Sequence, residues 1–593
     1  MSEPDLVALL ASTDGKPAAM LAAARRIATE PVLRERLRTV KLGVLSTFTF
    51  DLVAPYLAVE GARRGLAIET TTAPFGQLEQ QALDAASPLY GAAPDAIVIA
   101  ALADDALGDG FLTADVEAAI GAHVERLANL ARAIRERSSA HVLVWNQPPP
   151  RRLAAGLADP ALERSQTAAC AQLNERLARA LAAVPGARIF DAARAATEVG
   201  LAQWFDAKLE LLARCPLSGA AQLAVGQRLA RNLRALVAPP CKCLVLDLDN
   251  TLWGGVLGED GIGGIALGEE YPGSAFKRFQ RALRSYRDRG VLLAIASKNN
   301  EADVVELFGA HADLVLRLDD FAAREIHWND KASSLRAIAQ TLDIGIDALA
   351  FFDDNPVERA WVHEQLPDVT VIDVPAQPWR YVEALDASGA FDHLVVTADD
   401  KKRAAQYQQD VHRRELAKTV ASPEEFLRAL GMRVTIGPIG PATLPRVAQL
   451  LGKTNQFNVT TRRYSEGELA ALLAQPGAIG LWMRVADRYG DSGLVGVALA
   501  VPDGAAYRLD AFLMSCRVLG RRVEHALLGA VAERAAKHGA TLLRGEFIPT
   551  KKNAPAASFF ADTGFAAAGE HRWTLDLVGR AVPAPLFEVI EEP

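Results

Sequence analysis

The sequence predicts an α/β chain of three domains: a helix-covered parallel sheet, a Rossmann-like sheet domain without a cap, and an α+β domain. Three observations predict it. Short apolar runs alternate with long Ala-rich stretches of helical periodicity, as in parallel strands joined by crossover helices. In the middle third, several of those runs end in acidic or hydroxyl residues, where open parallel sheets place their functional groups. And 593 residues, half of them apolar, suit three or four domains with substantial cores.

Residues 1–40 read as a helical lead-in, with apolar residues at helical spacing in Met20–Ala28 and Val32–Val40. A first domain over 41–238 opens with a strand at Lys41–Phe48 and a helix at Asp51–Gly65. Strands follow at Ala96–Ala100, His141–Trp145 and Ala187–Phe190, between helices such as Val116–Ser138 and Leu162–Ala183. Pro239-Pro240 marks a boundary before a central domain over 239–395. The charged stretch Lys401–Lys418, within 396–421, reads as a helical connector with a solvated face. The last domain, 422–593, alternates again. Helices are expected at Leu444–Leu451, Glu466–Leu473, Arg521–His538 and Ala556–Gly564, and strands at Gly480–Val485, Gly493–Ala500, Arg508–Met514 and Leu542–Phe547.

The central domain carries the chemistry. Leu244–Gly261, LVLDLDNTLWGGVLGEDG, is an apolar strand ending in Asp247 and Asp249, two carboxylates on one side of an extended chain. Like charges this close call for a metal or a proton to compensate them. A second strand, in Val291–Asn300, ends at Ser297 and Asn299. Ile326–Ser333 supplies Lys331, a compact cation able to neutralise a phosphoryl group or a carboxylate. Ala348–Arg359 is a third strand ending in Asp353 and Asp354, with Glu358 a helical turn beyond. Taken singly, these residues also suit an Asp-rich turn, a capping serine and a solvated lysine. Between the first two stretches lie only the Gly-rich turn Gly254–Gly268 and one helix, Ala275–Gly290, too little for a bulky cap.

Composition excludes several classes. A formal charge of -8 argues against nucleic acid as the main partner. Five cysteines, Cys170, Cys215, Cys241, Cys243 and Cys516, are few and odd in number, which points to a reducing cytoplasm without a disulfide framework. Cys241-Lys242-Cys243 has no second pair to complete a zinc site and reads as core. No apolar run reaches membrane-helix length and no charged start leads an apolar segment, so a soluble protein is expected. Cys516 is singled out by its setting. It follows a strand and precedes Arg517, Arg521 and Arg522 in what reads as the first turn of a helix, where cations and the helix dipole favour thiolate. The competing reading is a small buried apolar residue.

The four central stretches, in this order, resemble the motifs of haloacid-dehalogenase-type phosphotransferases. The first domain is similar to the SGNH hydrolases, with flavodoxin-like sheet order expected. Ser46 stands at the nucleophile position and Asn146 follows a later strand, but the terminal stretch Ala213–Ala221 lacks the histidine that would activate the serine, so docking or structure is expected there rather than ester hydrolysis. The last domain resembles the GNAT acetyltransferases. In its diphosphate-type turn Arg517–Arg522, only Arg517 and Gly520 fit the pattern; Arg522 stands where a small residue belongs, against standard acetyl-coenzyme A binding.

Over nearly its whole length the chain resembles the FkbH-like glyceryl transferase/phosphatases of polyketide pathways. The matching stretches are DLDNTLWGGVLGEDG, IHWNDKA, FFDDNPVER, KTNQFNVTTRR (Lys453–Arg463), DRYGDSGLVG (Asp487–Gly496) and SCRVLGRRVE (Ser515–Glu524). The resemblance implies a substrate like 1,3-bisphosphoglycerate, removal of its 3-phosphate, and transfer of the glyceryl unit to an acyl carrier protein as a thioester. It implies Asp247 as nucleophile, Asp249 as acid and base, and Mg²⁺ held by Asp247, Asp354, Asp353 and the backbone carbonyl of Asp249. Thr251, Ser297 and Asn299 would orient the phosphoryl group, Lys331 would stabilise its charge, and Arg517 would contact substrate. A self-acylated cysteine is also implied, assigned here to Cys516. The rival readings are a plain Mg²⁺-dependent phosphatase with non-catalytic flanking domains, and a docking scaffold for carrier proteins.

Overall fold

The computed structural model describes residues 4–13, 16–35, 37–108, 110–395, 416, 420, 422–454, 456–550, 553–578 and 586–592. The expected connector at Lys401–Lys418 falls almost wholly outside the described residues. The chain divides into two compact units, 1–238 with 465–468, and 239–464 with 469–593.

In the first unit, β1 (Arg38–Ser46), β2 (Leu66–Thr72), β3 (Ala96–Ala100), β4 (His141–Trp145) and β5 (Ala187–Phe190) form an all-parallel sheet in the flavodoxin-like order β2-β1-β3-β4-β5. Alternation along β1 sends Leu42 and Val44 into one apolar layer and Leu45 into the other, so both faces are covered. The lead-in is helical at Pro4–Ala11 and Pro17–Thr29, but not across Val32–Val40. A short 3₁₀ turn at Pro31–Leu33 ends it, and Arg38–Val40 already pair with Leu66–Ile68 as the start of β1. The sequence reading did not anticipate β2.

The central sheet is also all parallel. Its strands are β6 (Cys243–Leu246), β7 (Leu292–Ser297), β8 (Phe321–Ile326), β9 (Leu349–Phe352) and β10 (Thr370–Val371), in the order β10-β9-β6-β7-β8. Every residue of β6, β7 and β9 is buried, which explains why they read as unbroken apolar runs. Between β6 and β7 the chain forms only the turn, a four-residue helix at Leu257–Asp260 and the helix Gly273–Asp288. The residues above this end of the sheet therefore include no inserted domain. Cys241 and Cys243 are buried in the packing on its two faces, and none of Cys170, Cys215, Cys241 and Cys243 forms a disulfide.

The last sheet is mixed. It comprises β11 (Arg433–Pro438), β12 (Phe457–Asn458), β13 (Ile479–Asp487), β14 (Gly490–Asp503), β15 (Ala506–Met514), β16 (Leu542–Glu546), β17 (Ala566–Gly569), β18 (Arg572–Asp576) and β19 (Glu588–Glu591). The order is β17-β18-β16-β15-β14-β13-β11-β19, with β12 added against β15. β15 and β16 run parallel but pair only from Ala506–Arg508 to Leu542–Arg544. Beyond that they diverge, and the β12 segment enters the gap. Phe457 and Asn458 pair with Met514 and Leu513, the Val459 N–H donates to the Phe512 carbonyl, and the Ile548 N–H donates to that of Val459. Apolar clusters cover both faces of this sheet. Among the described residues, no helix is long and apolar enough to cross a membrane.

Candidate active site

The carboxyl ends of β9, β6 and β7 build the site. Parallel register sets Leu246 opposite both Phe352 and Ile295, so Asp247 and Asp353, each the next residue of its strand, emerge at one height. The Asp247 N–H donates to the Phe352 carbonyl at 3.1 Å, fixing that alignment. The chain continues from β6 to β7 on one side while β9 lies on the other, which makes this crevice the switch point of the sheet. One carboxylate oxygen from each of Asp247, Asp353 and Asp354 lies within 4.8 Å of the others.

Lys331 enters this cluster from the first residue of the helix Lys331–Leu342, whose N-cap Asp330 accepts the Ser333 N–H. Its buried ammonium donates to Asp247 Oδ1 at 2.7 Å and to the Ala296 carbonyl at 2.6 Å, and stands 3.1 Å from Asp353 Oδ2. Burial works against that charge, but Asp247 and Asp353 outweigh it and raise the lysine pKa. The carboxyl pKa values of Asp353 and Asp354 also move up, first through burial and then through the neighbouring charge of Asp247. Three carboxylates thus share one ammonium. The excess negative charge and the all-oxygen donor set fit a hard divalent cation such as Mg²⁺. Thr251, fully buried, donates from Oγ1 to Asp354 Oδ1 at 3.3 Å.

Asp249 is held differently. Its Oδ1 accepts Trp253 Nε1 at 2.9 Å and the Leu257 N–H at 3.1 Å, while its Oδ2 accepts Asn299 Nδ2 at 2.9 Å. Asn299 also donates to Ser297 Oγ at 3.3 Å, so the tip of β7 is tied to the turn after β6. That turn is sharp because Asn250 adopts a left-handed conformation, φ 52°, which asparagine tolerates better than most residues. The Gly255 N–H closes it on Asn250 Oδ1 at 2.9 Å, and the Tyr381 hydroxyl donates to the Asn250 carbonyl at 2.9 Å.

Asp247, Thr251, Lys331, Asp353 and Asp354 therefore form one group and Asp249, Ser297 and Asn299 a second, joined through the turn after β6 and by Lys331 on the Ala296 carbonyl. Two supporting residues were missed by the sequence reading. Trp253 orients Asp249, and Arg359 Nη1 donates to the carbonyls of Asp353 and Asp354 at 2.7 and 2.9 Å. Both lie inside stretches already singled out, but neither residue type announces such a role. Glu358 pairs with Lys298 at 2.5 Å.

The remaining candidates stand elsewhere. Arg517 belongs to the turn after β15, donating from Nη1 to the Ser492 carbonyl at 2.6 Å and from Nε to Ser515 Oγ at 3.1 Å. The side chain of Cys516 lies outside the described residues; its backbone opens the 3₁₀ turn Cys516–Val518. The expectation that a helix begins immediately, with Arg517, Arg521 and Arg522 in its first turn, is corrected. Gly520 and Arg522 take left-handed conformations and the helix starts at Glu524, so its dipole does not act directly on position 516. Arg521 pairs with Asp487 at 3.2 Å and Arg522 with Glu424 at 3.1 Å. In the first unit, Ser46 is buried with its Oγ accepting the Phe48 N–H at 3.1 Å, and Asn146 donates to Asp191 at 2.8 Å.

Comparison with known proteins adds three similarities. The family model for the FkbH N-terminal domain matches residues 41–229. The chain is similar to the N-terminal part of protein BF1531 from Bacteroides fragilis, a structure containing a phosphatase domain and complexed with Mg. Identity is 31%, the match covers 62% of this chain and 97% of that one, and the TM-score is 0.54. A GNAT-family acetyltransferase structure from Desulfovibrio desulfuricans aligns at 19% identity over 24% of this chain and 99% of that one, with a TM-score of 0.21. No curated protein sequence matches the chain.

Proposed function

Because the chain belongs to the FkbH-like family of haloacid-dehalogenase-type proteins, we propose that it is a phosphatase whose strand-tip carboxylates remove the 3-phosphate of 1,3-bisphosphoglycerate, coupled to transfer of the glyceryl unit onto an acyl carrier protein. The observation that carries the phosphatase half is the meeting of Asp247, Asp353, Asp354 and Lys331 at adjacent tips of β6 and β9.

Asp247 attacks phosphorus, forming an aspartyl phosphate as the bond to the glyceryl oxygen breaks. Asp249 protonates that departing oxygen, then takes a proton from the water that cleaves the aspartyl phosphate and releases inorganic phosphate. Trp253, Leu257 and Asn299 hold the Asp249 carboxyl for both transfers. Lys331 keeps Asp247 aimed and offsets charge on the phosphoryl oxygens, with Thr251 and Ser297 orienting the group. Mg²⁺, held by Asp247, Asp354 and the Asp249 backbone carbonyl with Asp353 beside them, would supply the remaining positive charge. In the acyl half, the Cys516 thiolate attacks the carbonyl carbon of the acyl phosphate and expels phosphate. The carrier thiol then attacks the enzyme thioester and releases the cysteine. The acyl phosphate is already activated, so no nucleotide is consumed.

Incubation with 1,3-bisphosphoglycerate, Mg²⁺ and phosphopantetheinylated carrier, followed by intact mass measurement, tests this reading. A glyceryl increment on the carrier with phosphate released supports it. Phosphate without the increment leaves a plain phosphatase, and neither product leaves a scaffold.

A further inference from the structure

The last domain contains a 210 Å³ cavity, about seven times a water's share of liquid volume. Phe457, Leu519 and Phe559 form its apolar walls and Glu524 and Asp562 its acidic ones, while His525 is its one basic residue. Gly520, in the turn whose sequence suggests a diphosphate site, borders it, but the two arginines after Gly520 are engaged with Asp487 and Glu424. Neither lines the cavity. The β12 segment matters equally. It fills the gap where β15 and β16 diverge, with Asn458, Val459 and Thr460 buried and Asn553 Nδ2 donating to the Asn458 carbonyl at 3.0 Å. A ligand therefore has no track along β15 and must stop at the wall made by Phe457.

We propose that this cavity takes an uncharged, amide-bearing thiol arm of the pantetheine type and discriminates against the nucleotide diphosphate of coenzyme A. The inference rests on the carrier-loading reading above and names what distinguishes the carrier-borne arm from the free coenzyme. The acidic wall at Asp562 disfavours a diphosphate. Burial pushes the Glu524 carboxyl pKa up, and in its protonated form that group can donate to an amide carbonyl while the aromatic walls cover the methylene chain. The backbone turn Cys516–Val518 leads straight into Leu519, which brings an arm held here close to the acylation turn.

Calorimetric titration of the full chain with pantetheine and, separately, with coenzyme A tests this without relying on carrier loading. Saturable pantetheine binding, with coenzyme A at least tenfold weaker, is expected. Asp562→Lys should narrow that ratio at least tenfold, and Ser558→Trp, which fills the cavity, should abolish pantetheine binding while circular dichroism shows the fold retained. Equal or tighter binding of coenzyme A, no binding of pantetheine, or a ratio unmoved by Asp562→Lys would each overturn the proposal. If pantetheine binds as expected but the carrier is never loaded in the mass assay, it is the transfer reading that fails, not the site.

Discussion

Asn299 Nδ2 donates to Asp249 Oδ2 at 2.9 Å, joining the tip of β7 to the turn that follows β6. With Trp253 and Leu257 on the other oxygen, the Asp249 carboxyl is held from both sides. Asn299→Ala removes one side, so proton transfer should suffer more than substrate capture. We expect kcat for phosphate release to fall about 10- to 100-fold, within the usual range for general acid–base catalysis, while KM changes less than threefold. Asn299→Asp should restore the volume but not the donor, and should not rescue the rate at neutral pH. Steady-state phosphate release with both variants decides the matter.

Lys331 is the only ammonium bonded to the acidic cluster among the described residues, and both its partners are largely shielded from water. Removing one side of such a buried pair typically costs about 3–5 kcal/mol, because the other side is left uncompensated. Lys331→Met should therefore lower stability by about that amount in the absence of metal. Millimolar Mg²⁺ should recover part of the loss. Urea denaturation with and without Mg²⁺ measures both effects, and an undiminished midpoint would remove the lysine from the charge balance proposed here.

The pH dependence follows from Asp353 and Asp354, whose pKa values lie above the ordinary carboxyl range. An acid with a raised folded-state pKa stabilises the fold below its unfolded pKa, and that contribution is lost as pH rises through the folded value. Without metal, this pair should therefore lower the melting temperature as pH increases above about 4. Cation binding demands the ionised forms and reverses the trend. The rise in melting temperature on adding Mg²⁺ should grow from about pH 5 to about pH 8, and binding near neutrality should release protons. Calorimetry in two buffers of different ionisation enthalpy reads that release. A constant Mg²⁺ effect across this range would contradict the assignment.

The central site was legible because its parts sit where unbroken apolar runs stop, and β6, β7 and β9 are buried along their whole length. Among the strands that escaped notice, which include β10, β11, β12 and β17 to β19, β2 and β8 are the less regular members of the two parallel sheets. β2 is only half-buried after its first two residues and β8 carries Arg324 and Glu325, so neither shows a clean pattern. The helix start was misplaced for a conformational reason: Gly520 and Arg522 leave the helical region although the apolar spacing around them continues. The cavity was beyond sequence reasoning altogether, since it needs Phe457 and Phe559, 5.6 Å apart between ring centroids, to meet from distant stretches.

The assignment of Asp247 and Cys516 to separate steps gives a double test. Asp247→Asn should abolish phosphate release from a phosphate monoester, because an amide oxygen cannot form the aspartyl phosphate. Cys516→Ala should leave that release within twofold of the parent and eliminate the glyceryl increment on the enzyme. The two variants mixed should not restore loading of the dephosphorylated glyceryl unit if both steps use one bound substrate. Intact mass of each variant after exposure to the acyl phosphate distinguishes the outcomes, and loading of the carrier by Cys516→Ala at the parent rate would assign the acyl step to another group.

Ser46 offers the complementary negative test in the first unit. Its Oγ accepts the Phe48 N–H, it is 4% exposed, and Asn146 is occupied by Asp191 and by the Ala193 N–H. The segment Ala213–Ala221 brings no histidine that would remove the serine proton. The hydroxyl ties the turn after β1 by accepting that N–H. Ser46→Ala should cost about 1 kcal/mol through the lost hydrogen bond and leave phosphate release and carrier loading unchanged. The parent protein should show no hydrolysis of p-nitrophenyl acetate beyond that of the Ser46→Ala variant. A hydrolytic rate that disappears with Ser46 would instead reveal an unrecognised base in this domain and restore it to catalysis.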